Sequence, residues 1–262
     1  MLRRFSKSIL FAPLLLLLLG GGVVSCGDDD NSDGSPEKNV QDKVFTVNGV
    51  SFKMIAVKGG MFTMRVTSGQ TGAYPDDSPT HIVTLSDYYI GETEVTQELW
   101  SAVMGNNPSN FKGNMQRPVE CVSWDDSQAF ITKLNELTGE TFCLPTEAQW
   151  EYAARGGNLS KDFLYSGGNN IEEVAWYKDN SNKRTHPVKT KRPNELGIYD
   201  MSGNVWEWGS GYWYDGGRVG FGGSWRDEEG LCTFRSRTVS LPTIGGETPG
   251  IKEDDLGLRL AH

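Results

Sequence analysis

Short apolar stretches separated by turn residues predict few and short regular elements. The alternating residues of 45–57 favour two strands that meet at the Asn48-Gly49 turn, and residues 81–85 predict a third strand. The apolar face predicted for the second strand consists of Phe52, Met54 and Ala56. The first part of the chain is therefore expected to contribute a small antiparallel sheet.

Three helices have clear start and stop signals. They are predicted for 96–105, 125–139 and 146–156. Thr96 and Thr146 are the predicted N-caps, and each helix is predicted to stop at a glycine. The apolar face of the second helix consists of Phe130, Ile131, Leu134 and Leu137. The following hundred residues show little helical periodicity and are rich in Gly, Asn, Asp and Trp, so we expect a half of the domain made mainly of loops.

The N-terminus has the pattern of a bacterial lipoprotein signal. Basic residues precede an apolar run over 9–19 that is too short to span a membrane, and the run is followed by Val-Val-Ser-Cys. We expect a signal peptide over 1–25 and a lipid on Cys26; the alternative is an ordinary cleaved signal with a chance cysteine. Residues 26–44 are polar and acidic and predict a disordered tether, which leaves a single domain over 45–262.

The acidic run at 28–30 resembles the surface-export signal of lipoproteins in the Bacteroidetes. The alternative is a spacer that only keeps the tether solvated. We therefore expect an outer-membrane lipoprotein that is exposed at the cell surface, or otherwise faces the periplasm. The membrane is the expected partner of the anchor.

Charge and cysteine content narrow the remaining functions. The formal net charge is −9, which argues against nucleic-acid binding because phosphates require a basic surface. The chain has four cysteines. If Cys26 carries lipid, three remain and at least one of them is unpaired within the chain. Cys121 and Cys143 lie on either side of a predicted helix and could form a disulfide, or both could be packed thiols.

Several phrases occur in an order that is hard to obtain by chance. They are GGMFTM (59–64), ETEVT (92–96), PVECVSW (118–124), LPTEAQWEYAARGG (144–157), PNELGIYDMSGNVWEW (193–208), GGSW (222–225) and LGLRLA (256–261). Together they resemble the formylglycine-generating enzyme family, also called the sulfatase-modifying factor family. The resemblance covers 45–262 and implies an irregular α+β domain with C-type-lectin-like topology and a high coil content.

The resemblance also exposes a difference at the catalytic position. Enzymes of this family resemble one another in two cysteines at either end of a six-residue span, whose thiolates hold Cu(I). The corresponding residues here are Asp227 and Cys232. A carboxylate is a poor ligand for this soft ion, so we expect no copper and no catalytic residue. The alternative is a formylglycine-generating oxidoreductase that acts on a sulfatase cysteine through Cys232.

The state of Cys232 is the second expectation for this segment. Glu228 and Glu229 disfavour its thiolate, although Arg226 and Arg235 could oppose this effect if the fold brings them close. We expect a packed thiol. The iron-dependent relatives of the wider family need a histidine cluster, whereas the three histidines here are far apart in sequence, and His186 is expected to be a structural hydrogen-bonding residue.

The resemblance further implies a calcium site in the DMSGNVWEW segment. The ligands carried over are the side chains of Asp200 and Glu207 and the main-chain carbonyls of Gly203 and Val205, which are hard oxygen donors suited to Ca²⁺. The alternative is that no ion binds and Glu207 pairs with a buried arginine such as Arg235 or Arg237.

Aromatic residues near the end of this segment indicate a binding surface. Three successive aromatic residues among glycines cannot all point inward, so some of them are expected to line an exposed groove. The candidate residues of this groove are Tyr212, Trp213, Tyr214 and Trp225. Together with the missing cysteine, this predicts a non-catalytic module that binds a peptide, a glycan or another envelope protein.

Overall fold

The computed structural model describes residues 41–64, 80–212, 217–240 and 250–262. The anchor residue Cys26 and residues 26–40 of the predicted tether lie outside these ranges, whereas the last two tether residues, Lys43 and Val44, begin the first strand. The helices are α1 (Gln97–Met104), α2 (Trp124–Thr138), α3 (Glu147–Ala154) and the single turn α4 (Ile171–Val174). The strands are β1 (Lys43–Val47), β2 (Val50–Val57), β3 (Gly60–Met64), β4 (His81–Leu85), β5 (Tyr88–Gly91), β6 (Trp206–Tyr212), β7 (Arg218–Phe221), β8 (Arg237–Ser240) and β9 (Leu256–Leu258).

The described strands form three small sheets. The first has the order β1-β2-β5 and is antiparallel, with Phe45 opposite Phe52 across the predicted hairpin. The second is the antiparallel pair β3-β4. The third has the order β8-β7-β6-β9, in which only β6 and β9 run parallel. The prediction of two strands around Asn48-Gly49 and one strand over 81–85 is confirmed.

Local capping explains where the helices begin. Thr96 caps α1 by accepting a hydrogen bond from the Leu99 amide, and Thr146 caps α3 through a box with Gln149, as predicted. The predicted start of α2 at Asp125 is wrong, because Ser123 is the N-cap and its box partner is Asp126. The predicted end of the third helix at Gly156 is also late, because α3 ends at Ala154.

Two clusters of buried side chains hold the sheets and helices together. One joins the β1-β2-β5 sheet to α1, α2 and β9, and the other packs α3 against β2, β5 and β7. Strand β2 therefore buries residues on both of its faces, because Met54 belongs to the first cluster and Ile55 and Val57 to the second. Leu137 does not join the buried face of α2 and is 47% exposed.

The last residues of the chain close the domain. The amide of His262 donates to Tyr89 O and the amide of Tyr89 donates to His262 O, each at 2.9 Å, so the C-terminus pairs with β5. On its other side, Ala261 exchanges backbone hydrogen bonds of 2.8 and 2.9 Å with Cys143. The result is an α+β domain of modest helical content, with a long, mainly irregular segment between α3 and β6, as predicted.

Candidate functional site around Cys232

A two-glycine turn after β7 brings the GGSW segment against Cys232. Gly222 and Gly223 have φ values of +98° and +78°, in the left-handed region that favours glycine. A Cβ on Gly223 would lie 2.5 Å from Leu231 O and 3.0 Å from Cys232 Sγ. The close approach explains why glycine is required here, and it places both family positions in one compact loop.

Cys232 is a buried thiol in apolar surroundings. It has no exposed surface and packs in a cluster with other apolar side chains. Its Sγ donates a weak hydrogen bond to Ser224 O at 3.8 Å. Burial, together with the negative charge of Asp227, raises the pKa of Cys232 well above its usual range. The thiol is therefore protonated at neutral pH and is not accessible from solvent.

Asp227 is held in place by its own polar network. Its Oδ2 lies 2.5 Å from the hydroxyl of Ser224, and that hydroxyl is 3.1 Å from Asp255 Oδ2. Burial raises the pKa of Asp227, and the neighbouring charge of Asp255 adds to this effect. Arg226 does not favour the thiolate of Cys232, because its guanidinium is engaged with both oxygens of Asp255.

This loop does not fit a Cu(I) ion. Such a site needs two soft thiolates, but the second family position is a carboxylate bound to a serine hydroxyl. The other cysteines within the described residues lie elsewhere: Cys121 lies between α1 and α2, and the backbone of Cys143 pairs with Ala261. Within the same ranges, no three His, Cys, Asp or Glu side chains are arranged to hold a metal ion.

Cys121 and Cys143 are free thiols, so the predicted disulfide does not form. The fold gives each a separate environment. Cys121 occupies a turn with φ of +61°, and burial and the adjacent Glu120 raise its pKa to about 12. Cys143 is tied by its backbone to Ala261 and is exposed. The two cysteines lie on either side of α2 in the sequence, but the fold does not pair their side chains.

The predicted calcium segment forms part of a buried charge cluster. Arg259, which has no exposed surface, donates from Nε and Nη2 to the carboxylate of Glu207 at 2.6–3.1 Å. Trp150 Nε1 donates to Glu207 Oε2 at 2.6 Å. Glu94, also buried, accepts from Asn204 Nδ2 at 2.8 Å and from a backbone amide. The arginine alternative therefore describes Glu207, although its partner is Arg259 rather than Arg235 or Arg237.

Only part of the predicted ligand set fits calcium. Both oxygens of Glu207 are used by Arg259 and Trp150, so this carboxylate is not a free ligand. Asp200 accepts from the Lys189 amide through Oδ2 and keeps a buried Oδ1 without a partner. Calcium binding at Asp200 and the carbonyls of Gly203 and Val205 stays a prediction. Comparing melting temperatures in calcium and in EDTA, for wild type and Asp200→Asn, would test it.

The predicted aromatic groove is described only in part. Tyr212 is 68% exposed, and its ring lies 3.7 Å from the guanidinium carbon of Arg218. Trp225 is half-buried, since its indole N–H donates to Asp254 O at 3.0 Å and its ring meets Phe111 edge-on. Trp213 and Tyr214 lie outside the described residues. The groove stays a prediction. The Trp225 side chain is held in place by its contacts with Asp254 and Phe111.

Sequence reasoning missed Glu94 and Arg259 as partners in the buried cluster. Both lie in phrases that were noticed, ETEVT and LGLRLA, but no charge partner was assigned to them. An arginine within a strongly apolar C-terminal run was the available signal, because a buried arginine requires an acidic partner. Identifying that partner required the parallel pairing of β6 with β9, which is not local in sequence.

Comparison with known proteins identifies the family and the fold. The family described as the sulfatase-modifying factor enzyme 1-like domain matches residues 40–262. The chain belongs to this family. A Paenibacillus barcinonensis protein named Chaperone protein LppX is 38% identical over 253 residues, covering 74% of this chain and 84% of that protein.

The chain is also similar to a second named relative and to a solved structure. A Mus musculus protein named Inactive C-alpha-formylglycine-generating enzyme 2 is 34% identical over 183 residues, covering 64% of this chain and 56% of that protein. Among solved structures, Treponema denticola variable protein 1 has a TM-score of 0.71 and 34% identity, covering 84% of this chain and 98% of that one. The predicted formylglycine-generating-enzyme-like fold is confirmed.

Proposed function

We propose that the protein is a lipid-anchored module of the cell envelope that binds another molecule and does not generate formylglycine. Its family membership is shown by the match over 40–262. The absence of catalysis, the anchor and the binding role are our proposals. The alternative is a formylglycine-generating oxidoreductase that acts on sulfatase cysteine through Cys232.

The burial of Cys232 is the observation that carries this proposal. A catalytic or metal-binding cysteine reacts as a thiolate in a partly exposed, electropositive environment. Cys232 has instead no exposed surface, a raised pKa and a negatively charged neighbour in Asp227. Burial keeps the thiol out of contact with a client peptide. Burial and the charge of Asp227 together raise its pKa and keep it protonated.

The names of two relatives are consistent with a binding role. The Mus musculus relative is named as inactive, and the Paenibacillus barcinonensis relative is named as a chaperone. Carried over to this chain as a proposal, they favour recognition of a protein partner rather than chemistry on it. Exposed apolar residues such as Met61 and Ile82, on the same face of the β3-β4 pair, are available to such a partner.

An assay for formylglycine tests the proposal. The purified domain would be incubated with Cu(I), oxygen and a Cys-x-Pro-x-Arg peptide, and the peptide would be analysed by mass spectrometry for the aldehyde. We expect no aldehyde with wild type or with Cys232→Ser. Aldehyde formed by wild type and lost with Cys232→Ser would overturn the proposal and establish the alternative.

The anchor has a separate test. The Val-Val-Ser-Cys sequence predicts that labelled fatty acid enters the wild-type chain and does not enter Cys26→Ala. Among the described residues, no helix is long and apolar enough to cross a membrane. Wild-type chain that fractionates with the envelope but carries no labelled lipid would exclude Cys26 as the anchor. Protease treatment of intact cells would then distinguish a surface from a periplasmic location.

A further inference from the structure

Four basic side chains belong to the segment after residue 183 and to the loop that follows α1, which lies beside it. The amide of Val188 donates to Gln116 O at 2.9 Å, so the two segments run side by side. The amide of His186 donates to Asn204 Oδ1 at 2.9 Å, which fixes the segment to the protein interior. We call Arg117, Arg184, His186 and Lys191 the basic cluster.

Two members of the basic cluster have no acidic partner among the described residues. Neither Arg117 nor Arg184 forms a side-chain hydrogen bond or an ion pair there, and Arg117 Nε is buried with no hydrogen-bond acceptor. Glu120 is the acidic group whose negative charge favours the protonated form of Arg117. Its two oxygens, however, accept from the amides of Asn110 and Phe111, each at 2.8 Å. The guanidinium N–H groups of Arg117 and Arg184 therefore remain available to donate hydrogen bonds.

A buried hydroxyl lies in the same segment. Thr185 has no exposed surface, and its Oγ1 has no hydrogen-bond partner. It stands between Arg184 and His186 in sequence. Buried polar groups are nearly always paired in native proteins, so each unpaired group requires an explanation. Here an unpaired guanidinium N–H and an unpaired hydroxyl belong to two segments that are packed against each other.

The other two members of the basic cluster are fixed in position. His186 stacks on Trp176 with 3.7 Å between ring centroids, and its Nε2 lies 2.6 Å from Ser181 O, as the predicted structural role requires. Lys191 Nζ lies 4.1 Å from the Trp176 ring centroid and donates to Glu172 O at 2.5 Å. Both side chains are therefore held against the Trp176 ring.

The directions of the pKa shifts are those expected for neighbouring positive charges. Burial lowers the pKa of His186, and the charges of Arg117, Arg184 and Lys191 lower it further. Burial and the charge of Arg184 also lower the pKa of Arg117. Such crowding of like charges costs free energy in a chain of net charge −9, and a bound anion would relieve it.

We propose that Arg117, Arg184 and the Thr185 hydroxyl form a binding site for one oxyanion, meaning a carboxylate, sulfate or phosphate group. Guanidinium groups match the geometry of such anions and bind them through charge-assisted hydrogen bonds. The hydroxyl supplies a further donor. The site is independent of Cys232 and of the proposed lipid anchor.

The imidazole of His186 provides a direct readout. The sequence has only three histidines, so their NMR signals are few and can be assigned by His→Gln substitutions. Inorganic phosphate and sulfate, added at an ionic strength held constant with chloride, should raise the pKa of His186 saturably. Arg184→Gln should weaken this response about tenfold or more, because it removes a charge-assisted donor. Arg184 is exposed, so its replacement leaves the core intact.

Lys161→Gln is the matched control, since Lys161 is also exposed and its loss changes the net charge equally. It should respond as wild type does. An equal response of His186 to the anions in Arg184→Gln and in wild type would overturn the proposal. Vesicles of phosphatidylglycerol distinguish the source of the oxyanion: Arg184-dependent binding to vesicles without a response to free phosphate assigns it to a lipid headgroup. If neither vesicles nor free anions depend on Arg184, there is no such site.

Discussion

The loop of 222–232 owes its shape to glycine at position 223. With φ of +78° and Leu231 O only 2.5 Å from where a Cβ would lie, this position excludes other residues. Gly223→Ala should therefore lower the free energy of unfolding by about 1–3 kcal/mol from backbone strain, with the steric clash in addition. Urea denaturation measures this loss.

Gly230→Ala is the control for that substitution. It lies in the same loop, has no atom within 4 Å of its Cβ position and is not in the left-handed region. Its stability should match wild type closely. Equal stability of Gly223→Ala and wild type would mean that the loop does not approach Cys232 in this way.

At the scale of single residues, the sequence showed which family position differs but not the interactions that hold the different residue in place. Asp227 at the second cysteine position was evident from GGSW, and so was the isolation of Cys232. The hydrogen bond of Asp227 to Ser224 and the pairing of Arg226 with Asp255 were not evident, because Asp255 is distant in sequence.

At the scale of elements, the capping box of α2 links helix stability to pH. Burial alone would raise the pKa of Asp126, but hydrogen bonds from Lys252 and Ser123 outweigh it and lower the pKa below 3.8. A lowered pKa in the folded state means that the stabilisation is present above pH 3.8 and is lost as the pH falls through the folded-state pKa. Asp126→Asn should thus cost about 1 kcal/mol at neutral pH and less in acid.

Thermal unfolding across the acidic range measures this difference. Asp125→Asn is the control, because Asp125 lies in the same helical turn but outside the capping box. It should change the stability by less than half as much as Asp126→Asn. A cost of Asp126→Asn that does not shrink in acid would contradict the role given to the ionised carboxylate.

The pairing of β6 with β9 depends on the ion pair between Glu207 and Arg259, both fully buried. Arg259→Met should lower the free energy of unfolding by about 3–5 kcal/mol, because it leaves the carboxylate of Glu207 buried without its cation. Adding Glu207→Gln to this variant should recover part of the loss, as a double-mutant cycle would show. Additive losses would mean that the two residues do not interact.

The exposed pair of Lys178 and Glu228 provides the comparison. Both side chains are more than half exposed, so Lys178→Met should change the stability little despite a similar N–O distance of 2.9 Å. A cost comparable with that of Arg259→Met would show that burial is not what makes the Glu207 pair important.

Helices and hairpins could be predicted from the sequence because their signals are local. Thr96 and Thr146 cap the helices that they precede, and Asn48-Gly49 joins β1 to β2. The order of the larger sheet could not be predicted, since β6 pairs with a strand about fifty residues later and in parallel. Burial of Ile55 and Val57 opposite Met54 also followed from tertiary packing and not from alternation.

At the scale of the whole molecule, the fold buries Cys232, which occupies one of the two cysteine positions of the family, and leaves it no exposed surface. The C-terminal residue His262 pairs with Tyr89 of β5, and the 222–232 loop packs Cys232 into an apolar cluster. The central claim is therefore that this thiol is packed and unreactive. A binding role for the domain follows only if that claim holds.

Alkylation of the folded, non-reduced domain with iodoacetamide tests this claim most directly. Mass spectrometry should find Cys143, which is exposed, modified first, and Cys232 unmodified until the domain is unfolded in urea. Cys121 should react slowly because its pKa is raised to about 12. Modification of Cys232 in the folded domain at a rate similar to that of Cys143 would contradict the account.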